Sequence, residues 1–159
     1  MALFFRIATL EDLDEIQDFE KKKLIETVPD EMEREIQSWQ ARWRRESLEQ
    51  YLPLGWCFLS RDPHLESGFS KEGLLMGYFI AQPLLFFDGQ TQSLWVEHLS
   101  FSSLQTRDEL CDLACRLSRE KHFQRAYFPK SVQLQNAMSQ HKPQAWSETS
   151  MYVKTTKAN

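Results

Sequence analysis

The chain has 159 residues, of which 42% are hydrophobic, and a formal net charge of −4 at pH 7. A chain of this length is typical of one domain that buries enough apolar surface to fold without disulfides or a structural metal. The slightly acidic balance gives no field that attracts phosphate backbones or anionic lipid, so neither nucleic acid nor a membrane is an expected partner.

The three cysteines, Cys57, Cys111 and Cys115, are odd in number and show no Cys-x-x-Cys spacing. This pattern indicates neither a disulfide framework nor a thiolate metal site, and we expect buried, reduced thiols and no metal. Arg6 interrupts the first apolar residues too early for a signal-peptide core. The longest apolar stretch, residues 73–87, is shorter than the about 20 residues that cross a bilayer. These features predict a soluble, cytoplasmic protein.

Residues 3–8 predict an opening strand, and Thr9 with Asp12 predicts a capping box at the start of a helix. The helix has an apolar residue at every third position and acidic residues on its remaining surface. We therefore expect a buried apolar stripe (Leu10, Leu13, Ile16 and Phe19) and a solvated acidic face (Glu11, Asp12, Asp14, Glu15, Asp18 and Glu20).

A second helix is predicted to begin at Pro29 and Asp30, with a core face formed by Met32, Ile36, Trp39 and Trp43. Residues 56–60 predict a strand, and residues 61–72 a polar loop. The basic run Arg42, Arg44 and Arg45 is expected at the surface, although it could also dock an acidic partner or a nucleotide phosphate.

Two long strands, residues 74–87 and 91–101, are joined by Asp88-Gly89, a strong hairpin signal. Pro83 predicts a bulge or an edge position in the first strand, because proline cannot donate to the sheet ladder. Phe86 and Phe87 stand beside the predicted hairpin tip, which suggests a subunit contact and therefore a homodimer.

Thr106 and Glu109 predict a second capping box, followed by a helix whose core face contains Leu110, Leu113, Ala114 and Leu117. A strand at residues 125–128, a short helix and a closing strand at residues 150–155 complete the order. The sequence thus predicts one α/β domain over residues 1–159, with a mixed, mostly antiparallel sheet of about six strands flanked by about four helices.

This order of elements, with Arg6-Ile7-Ala8-Thr9 at the start and residues 96–101 before a helix, resembles the GNAT superfamily of N-acetyltransferases. In that family the strand matching residues 94–101 pairs with the pantetheine arm of coenzyme A, and a glycine-rich loop then holds the diphosphate. The resemblance implies acetyl-CoA as the cofactor of an active protein. It implies binding by Leu99, Ser100, Phe101, Ser102, Ser103, Gln105, Thr106 and Arg107.

The cofactor loop departs from the family pattern, since residues 102–107 contain no glycine. Glycine lets backbone N–H groups approach a diphosphate, and a helix N-terminus adds partial positive charge. Asp108 and Glu109 are expected at the helix start, where carboxylates would repel that anion. The positions that match the family's asparagine, alanine and tyrosine are Ser131, Leu134 and Met138.

Glu97 matches a family position where a glutamate takes the proton of the acceptor amine, and an exposed strand residue is the simpler alternative. His98 is expected on the opposite face of the strand. Because the acidic face of the first helix borders the acceptor pocket in the resembled fold, it could also receive a cationic amine.

The sequence leaves two functions open. One is a GNAT-like module with a degenerate coenzyme A loop that binds a small amine, a peptide or a partner protein, with weak or no acetyltransferase activity. The other is an atypical acyl-CoA-dependent N-acyltransferase that acts on an amine with Glu97 as its base.

Overall fold

The computed structural model describes residues 3–156, which form strands and helices around one sheet. In these residues the strands are β1 Phe4–Ile7, β2 Phe58–Asp62, β3 Leu74–Phe87, β4 Gln90–Phe101, β5 Arg125–Pro129, β6 Gln144–Ala145 and β7 Ser150–Lys154. The helices are α1 Leu13–Thr27, α2 Glu31–Gln40, α3 Arg45–Tyr51, α4 Leu104–Glu120 and α5 Val132–Ala137. The predicted mixed α/β class is confirmed, with β6 and the separate helix α3 as additions.

The seven-stranded sheet has the order β1-β2-β3-β4-β5-β7-β6, and β4 and β5 are its parallel neighbours. They pair only from Ser93 opposite Arg125 to Trp95 opposite Tyr127. Beyond Trp95, β4 continues along β3 as far as Phe101, while β5 continues along β7. The two parallel strands therefore separate and open a cleft in the middle of the sheet.

The β3–β4 hairpin is present as predicted. Asp88 and Gly89 have φ angles of 50° and 73°, the left-handed conformations that a two-residue turn of the favoured hand requires. The prediction for Pro83 is also confirmed, because β2 pairs with β3 only as far as Phe79 and leaves Pro83 on an open edge. This hairpin forms the central pair of the sheet.

Alternate residues of β3 face two separate cores. Tyr78 and Ile80 pack against α1 and α3, whereas Phe79 and Ala81 pack against α4 and α5. On the α1 side, the part of the sheet built from β4, β5 and β7 is covered by aromatic rings whose centroids lie 5.1–6.1 Å apart in contacting pairs. This aromatic cluster consists of Phe87, Trp95, Tyr127, Trp146 and Tyr152.

The acidic face predicted for the first helix is only partly solvated. The prediction of solvent exposure is wrong for Asp12, Glu15 and Glu20, each of which is 5–6% exposed. The capping box of Thr9 and Asp12 is confirmed. Arg61, expected in a polar loop, lies fully buried at the end of β2 and donates to both oxygens of Glu15, at 2.7 and 3.0 Å. A carboxylate can be buried beside α1 because a buried guanidinium compensates it.

We expect acid to destabilise the fold through Asp12. Burial raises the pKa of Asp12, but the hydrogen bonds from Arg6 and from the Thr9 amide outweigh burial and leave the pKa below its ordinary value of 3.8. A lowered native pKa contributes stability above pH 3.8, and that contribution is lost as the pH falls through the native value. Urea unfolding between pH 7 and pH 3 should show a smaller loss for Asp12→Asn than for the unchanged protein. An unaltered pH dependence in Asp12→Asn would refute this role.

The predicted core face of α2 is wrong. Met32, Ile36 and Trp39 point to solvent with 70%, 43% and 66% of their surfaces exposed. Arg34 instead turns inward and donates to the carbonyl oxygens of Val28 and Pro29. Of the predicted face, only Trp43 is buried, and it lies after the helix has ended.

Candidate functional site

A β-bulge in β4 sets the position of Glu97. Ile80 on β3 pairs with His98 and Ala81 pairs with Val96, so Glu97 is an extra residue without a partner in the ladder. Bulges re-aim the side chains around them and are frequent beside functional sites. The bulge lies where β4 has just separated from β5, at the mouth of the cleft.

Glu97 and His98 consequently point to the same side of the sheet, and the prediction of opposite faces is wrong. Glu97 reaches Arg42 in the α2–α3 connection, and His98 reaches Glu20 on α1. Strict alternation would have separated them, but the extra residue of the bulge shifts the register by one.

Glu97 lines a pocket of about 230 Å³ between β4 and the ends of β5 and β7. Arg42 Nη1 donates to Glu97 Oε1 at 2.8 Å, and Trp95 Nε1 donates to Oε2 at 2.6 Å. Both carboxylate oxygens thus have partners from the protein itself. The other lining residues are Val96, Pro129, Trp146, Ser147, Thr149 and Ser150.

The Glu97 charge also affects the pKa of Tyr51, which lies at the end of α3. Burial first, and then the nearby Glu97 carboxylate, raise the pKa of the Tyr51 phenol above its ordinary value. Tyr51 therefore stays protonated at neutral pH and can act as a hydrogen-bond donor close to the pocket. Sequence reasoning missed this proximity, because α3 and β4 lie far apart along the chain.

A second polar group lies between α1 and strands β3 and β4, centred on the buried carboxylate of Glu20. Tyr78 donates its hydroxyl to Glu20 Oε1 at 2.7 Å, and His98 Nε2 lies 3.3 Å from the same oxygen. Burial raises the pKa of Glu20, but the hydrogen bond and charge of His98 outweigh it and leave the pKa below its ordinary value. Glu20 is thus a fixed negative charge that orients the His98 ring.

The end of β4 is bridged to α1 by Lys23. Its Nζ donates to the Ser100 hydroxyl at 2.8 Å and to the Phe101 carbonyl at 3.0 Å, and it lies over the Phe101 ring. Lys23 therefore binds Ser100 and Phe101, two of the residues that were predicted to hold a cofactor. Leu99, predicted with them, packs into the core on the α4 side with 7% of its surface exposed.

The start of α4 differs from the prediction. Ser103, and not Thr106, is the N-cap, and its hydroxyl accepts from the Thr106 amide at 3.2 Å. The helix begins at Leu104, three residues earlier than the predicted capping box implies, because Ser103 has the extended backbone and the side-chain oxygen that an N-cap needs. Asp108 and Glu109 accordingly lie in the second turn, and the first turn contains no carboxylate. The expected electrostatic block at the helix start is wrong.

Three of the amides of residues 102–107 nevertheless donate to acceptors of the protein itself. The N–H of Ser102 donates to the Met76 carbonyl, that of Thr106 to the Ser103 hydroxyl, and that of Arg107 to the Ser103 carbonyl. Only Ser102 and Ser103 connect β4 to α4, and neither is glycine. The connection therefore lacks the glycines that let backbone N–H groups approach a diphosphate in the family's pattern.

The remaining predicted cofactor residues have partners within the helix. The Arg107 guanidinium binds Asp108, its neighbour, at 2.9 Å, and the Gln105 amide donates to Glu109 at 3.3 Å. Thr106 is fully buried and shares a hydrogen bond with the Ser103 hydroxyl. These side chains therefore have partners at the start of α4 itself.

The three positions that match the family's asparagine, alanine and tyrosine have structural roles here. Ser131 caps α5 by accepting from the Leu134 amide, and Leu134 itself is 5% exposed. Met138 is fully buried in the core beneath α4 and α5. No hydroxyl stands at this position to protonate a leaving thiolate.

The three cysteines are buried and free, as expected. Burial raises the pKa of the Cys57 thiol to about 11 and those of Cys111 and Cys115 to about 12, so these thiols stay protonated and unreactive.

Among residues 3–156, no three His, Cys, Asp or Glu side chains are grouped as a metal site requires. In the same residues, none of the helices has the length and apolar character that a membrane crossing needs.

No protein-family model matches the sequence, and no curated protein is detectably similar to it. Solved structures of GNAT-family acetyltransferases do match its fold. One from Streptococcus agalactiae 2603 superposes with a TM-score of 0.63 at 10% identity, covering 99% of this chain and 96% of that one. One from Listeria monocytogenes 4b F2365 gives 0.61 at 15% identity, covering 95% and 92%. A mosquito arylalkylamine N-acetyltransferase like 5b gives 0.61 at 11% identity, covering 96% and 100%. At these identities the likeness shows the fold, which is that of the GNAT acetyltransferases.

Proposed function

We propose that this GNAT-fold protein binds a small amine in the pocket at Glu97 and that its acetyltransferase activity is weak or absent. The observation on which the proposal depends is the occupation of both Glu97 oxygens, by Arg42 at 2.8 Å and by Trp95 at 2.6 Å. The Arg42 guanidinium stands where the ammonium of a ligand would bind. A cation is therefore the complement of this pocket.

We expect a small free-energy cost when the ammonium of a ligand replaces Arg42 at Glu97. The Arg42 side chain is 53% exposed, while that of Glu97 is 23% exposed, so the guanidinium can move into water and leave the carboxylate in the pocket. One cation then replaces another, and the charge of the site is unchanged. The rings of Trp95 and Trp146 line the same pocket and attract a cation through their faces.

The same contacts argue against efficient acyl transfer. Each oxygen of Glu97 already accepts one hydrogen bond, from Arg42 or from Trp95, and these donors stabilise the ionised carboxylate and make it a weaker base towards an amine. Met138 stands at the family's tyrosine position, and three amides of the cofactor segment already have protein acceptors. These features support amine binding, rather than acyl transfer, as the function.

Glu97→Gln tests the proposal most simply. Calorimetry with phenethylamine, chosen because a structural neighbour is named for arylalkylamines, should give a dissociation constant at least about tenfold weaker than in the unchanged protein, a loss of about 1.4 kcal/mol or more. Arg42→Gln, which frees Oε1, should bind more tightly. Asp14→Asn, which alters an exposed acid that pairs with Arg45 outside the pocket, is the matched control and should bind normally. Equal affinity of Glu97→Gln and the unchanged protein would contradict the proposal.

An acyl-CoA-dependent N-acyltransferase is the second candidate. It is favoured by the first turn of α4, which contains no carboxylate, and by the separation of β4 from β5. A rise in melting temperature with millimolar acetyl-CoA, together with acetylated phenethylamine detected by mass spectrometry, would establish it, since a ligand that binds the native state stabilises that state. No rise and no product would leave amine binding as the function.

A further inference from the structure

The outward face of α2 is apolar, and helices α1 and α3 leave it uncovered. Met32, Ile36 and Trp39 follow one another at intervals of four and three residues, which places them on one side of the helix, and each is more than 40% exposed. Ile25 on α1, with 62% of its surface exposed, also faces solvent on the helical layer. Soluble monomers rarely leave such a continuous stripe in water.

The charges around this stripe are separated along its length. Glu31, Glu33 and Glu35 lie towards the N-terminal end of α2, and Arg44 follows its C-terminal end. Within residues 3–156, none of these four side chains forms an ion pair. The surface thus has one acidic end and one basic end, and the side-chain contacts of these four residues are to neutral groups, from Gln37 to Glu33 and from Arg44 to the Ala41 carbonyl.

We propose that this stripe is a homodimer interface in which α2 packs antiparallel against α2 of a second copy. A two-fold axis beside Trp39 brings Glu35 of each α2 opposite Arg44 of its partner. The apolar side chains meet along the centre, and the charges pair at both ends. A surface that is complementary to itself in this way selects another copy of the same chain.

The charges beside the stripe also favour a second copy of the chain, rather than a lipid surface, as its partner. A helix that lies on an anionic membrane has basic residues beside its apolar stripe, whereas α2 has three glutamates there. The hairpin tip at Phe86, 80% exposed, is another apolar site, but the charges beside it, Asp88 and Arg125, already pair with each other at 2.8 Å.

Sedimentation equilibrium from micromolar to near-millimolar protein tests the dimer. Trp39→Glu should raise the dissociation constant at least about tenfold, because a large aromatic at the centre of an interface contributes most of its affinity. Trp39 is exposed, so the fold should survive, and an unchanged melting temperature of the dilute protein checks this. Phe86→Asn, which suits the left-handed backbone at φ 55°, is the matched control and should leave the constant unchanged.

Charge reversal distinguishes the antiparallel arrangement from any other. Glu35→Arg alone and Arg44→Glu alone should each weaken the dimer, and the two changes in one chain should restore it. A monomer at every concentration would overturn the proposal. So would dissociation by Phe86→Asn with no effect of Trp39→Glu, or a double variant no tighter than the single ones.

Discussion

Arg61→Met is expected to lower the free energy of unfolding by about 3–5 kcal/mol, because it leaves buried carboxylates without their partner. Arg61 is fully buried, donates twice to Glu15, and also donates to the Gly73 carbonyl at 2.9 Å. Methionine keeps most of the volume but none of the charge. Urea unfolding at neutral pH measures the loss.

Two further variants show that charge, and not packing, causes this loss. Arg45→Met removes a guanidinium that is 55% exposed and pairs with Asp14, and it should cost less than about 1 kcal/mol. Combining Arg61→Met with Glu15→Gln removes both charges and should be less destabilising than Arg61→Met alone. A loss at Arg61 no larger than that at Arg45 would contradict the account of the network.

Gly77→Val is expected to destabilise the protein by about 3 kcal/mol through overpacking. A Cβ at residue 77 would lie 2.7 Å from the Ser100 carbonyl oxygen and 2.8 Å from Thr106 Cγ2. These atoms belong to the end of β4 and the first turn of α4, and the carbonyl oxygen is backbone that cannot move aside. Glycine at this position lets the start of α4 approach the sheet.

Gly68→Val is the control for Gly77→Val. A Cβ at residue 68 meets no atom within 4 Å, so the same added volume should change the free energy of unfolding by less than about 0.5 kcal/mol. Equal effects of valine at the two positions would mean that the contact between β3 and the start of α4 is loose.

Local signals in the sequence predicted the sheet well. The Asp88-Gly89 turn fixes the longest strand pair, and Pro83 correctly indicated an open edge, because both residues act through their own backbone angles. Of the predicted core stripe of the first helix, Leu13 and Ile16 are buried as expected, whereas Leu10 is 51% exposed. Features of this kind depend on neighbours along the chain and can be recognised without tertiary structure.

Which side of a helix meets the core, and where the helix begins, was harder to predict. Helical periodicity places Met32, Ile36 and Trp39 on one side of α2, but the period alone does not state whether that side meets the core or the solvent. The start of α4 was misplaced because Ser103 and Thr106 are both acceptable caps, and only tertiary structure selects one.

The candidate site was predicted least well, since it depends on contacts between distant segments. Glu97 was identified from the resemblance, but its partners Arg42 and Trp95 were not connected to it. The bulge that places Glu97 and His98 on the same side has no signature in the sequence, because one extra residue in an alternating strand looks like ordinary variation.

The indole N–H of Trp95 reports most directly on amine binding, because it donates to Glu97 Oε2 in the pocket. We expect its resonance, assigned by its loss in Trp95→Phe, to move and saturate as phenethylamine is added to ¹⁵N-labelled protein, and to stay in place with acetyl-CoA. A resonance that moves with acetyl-CoA and ignores the amine would contradict the proposed function.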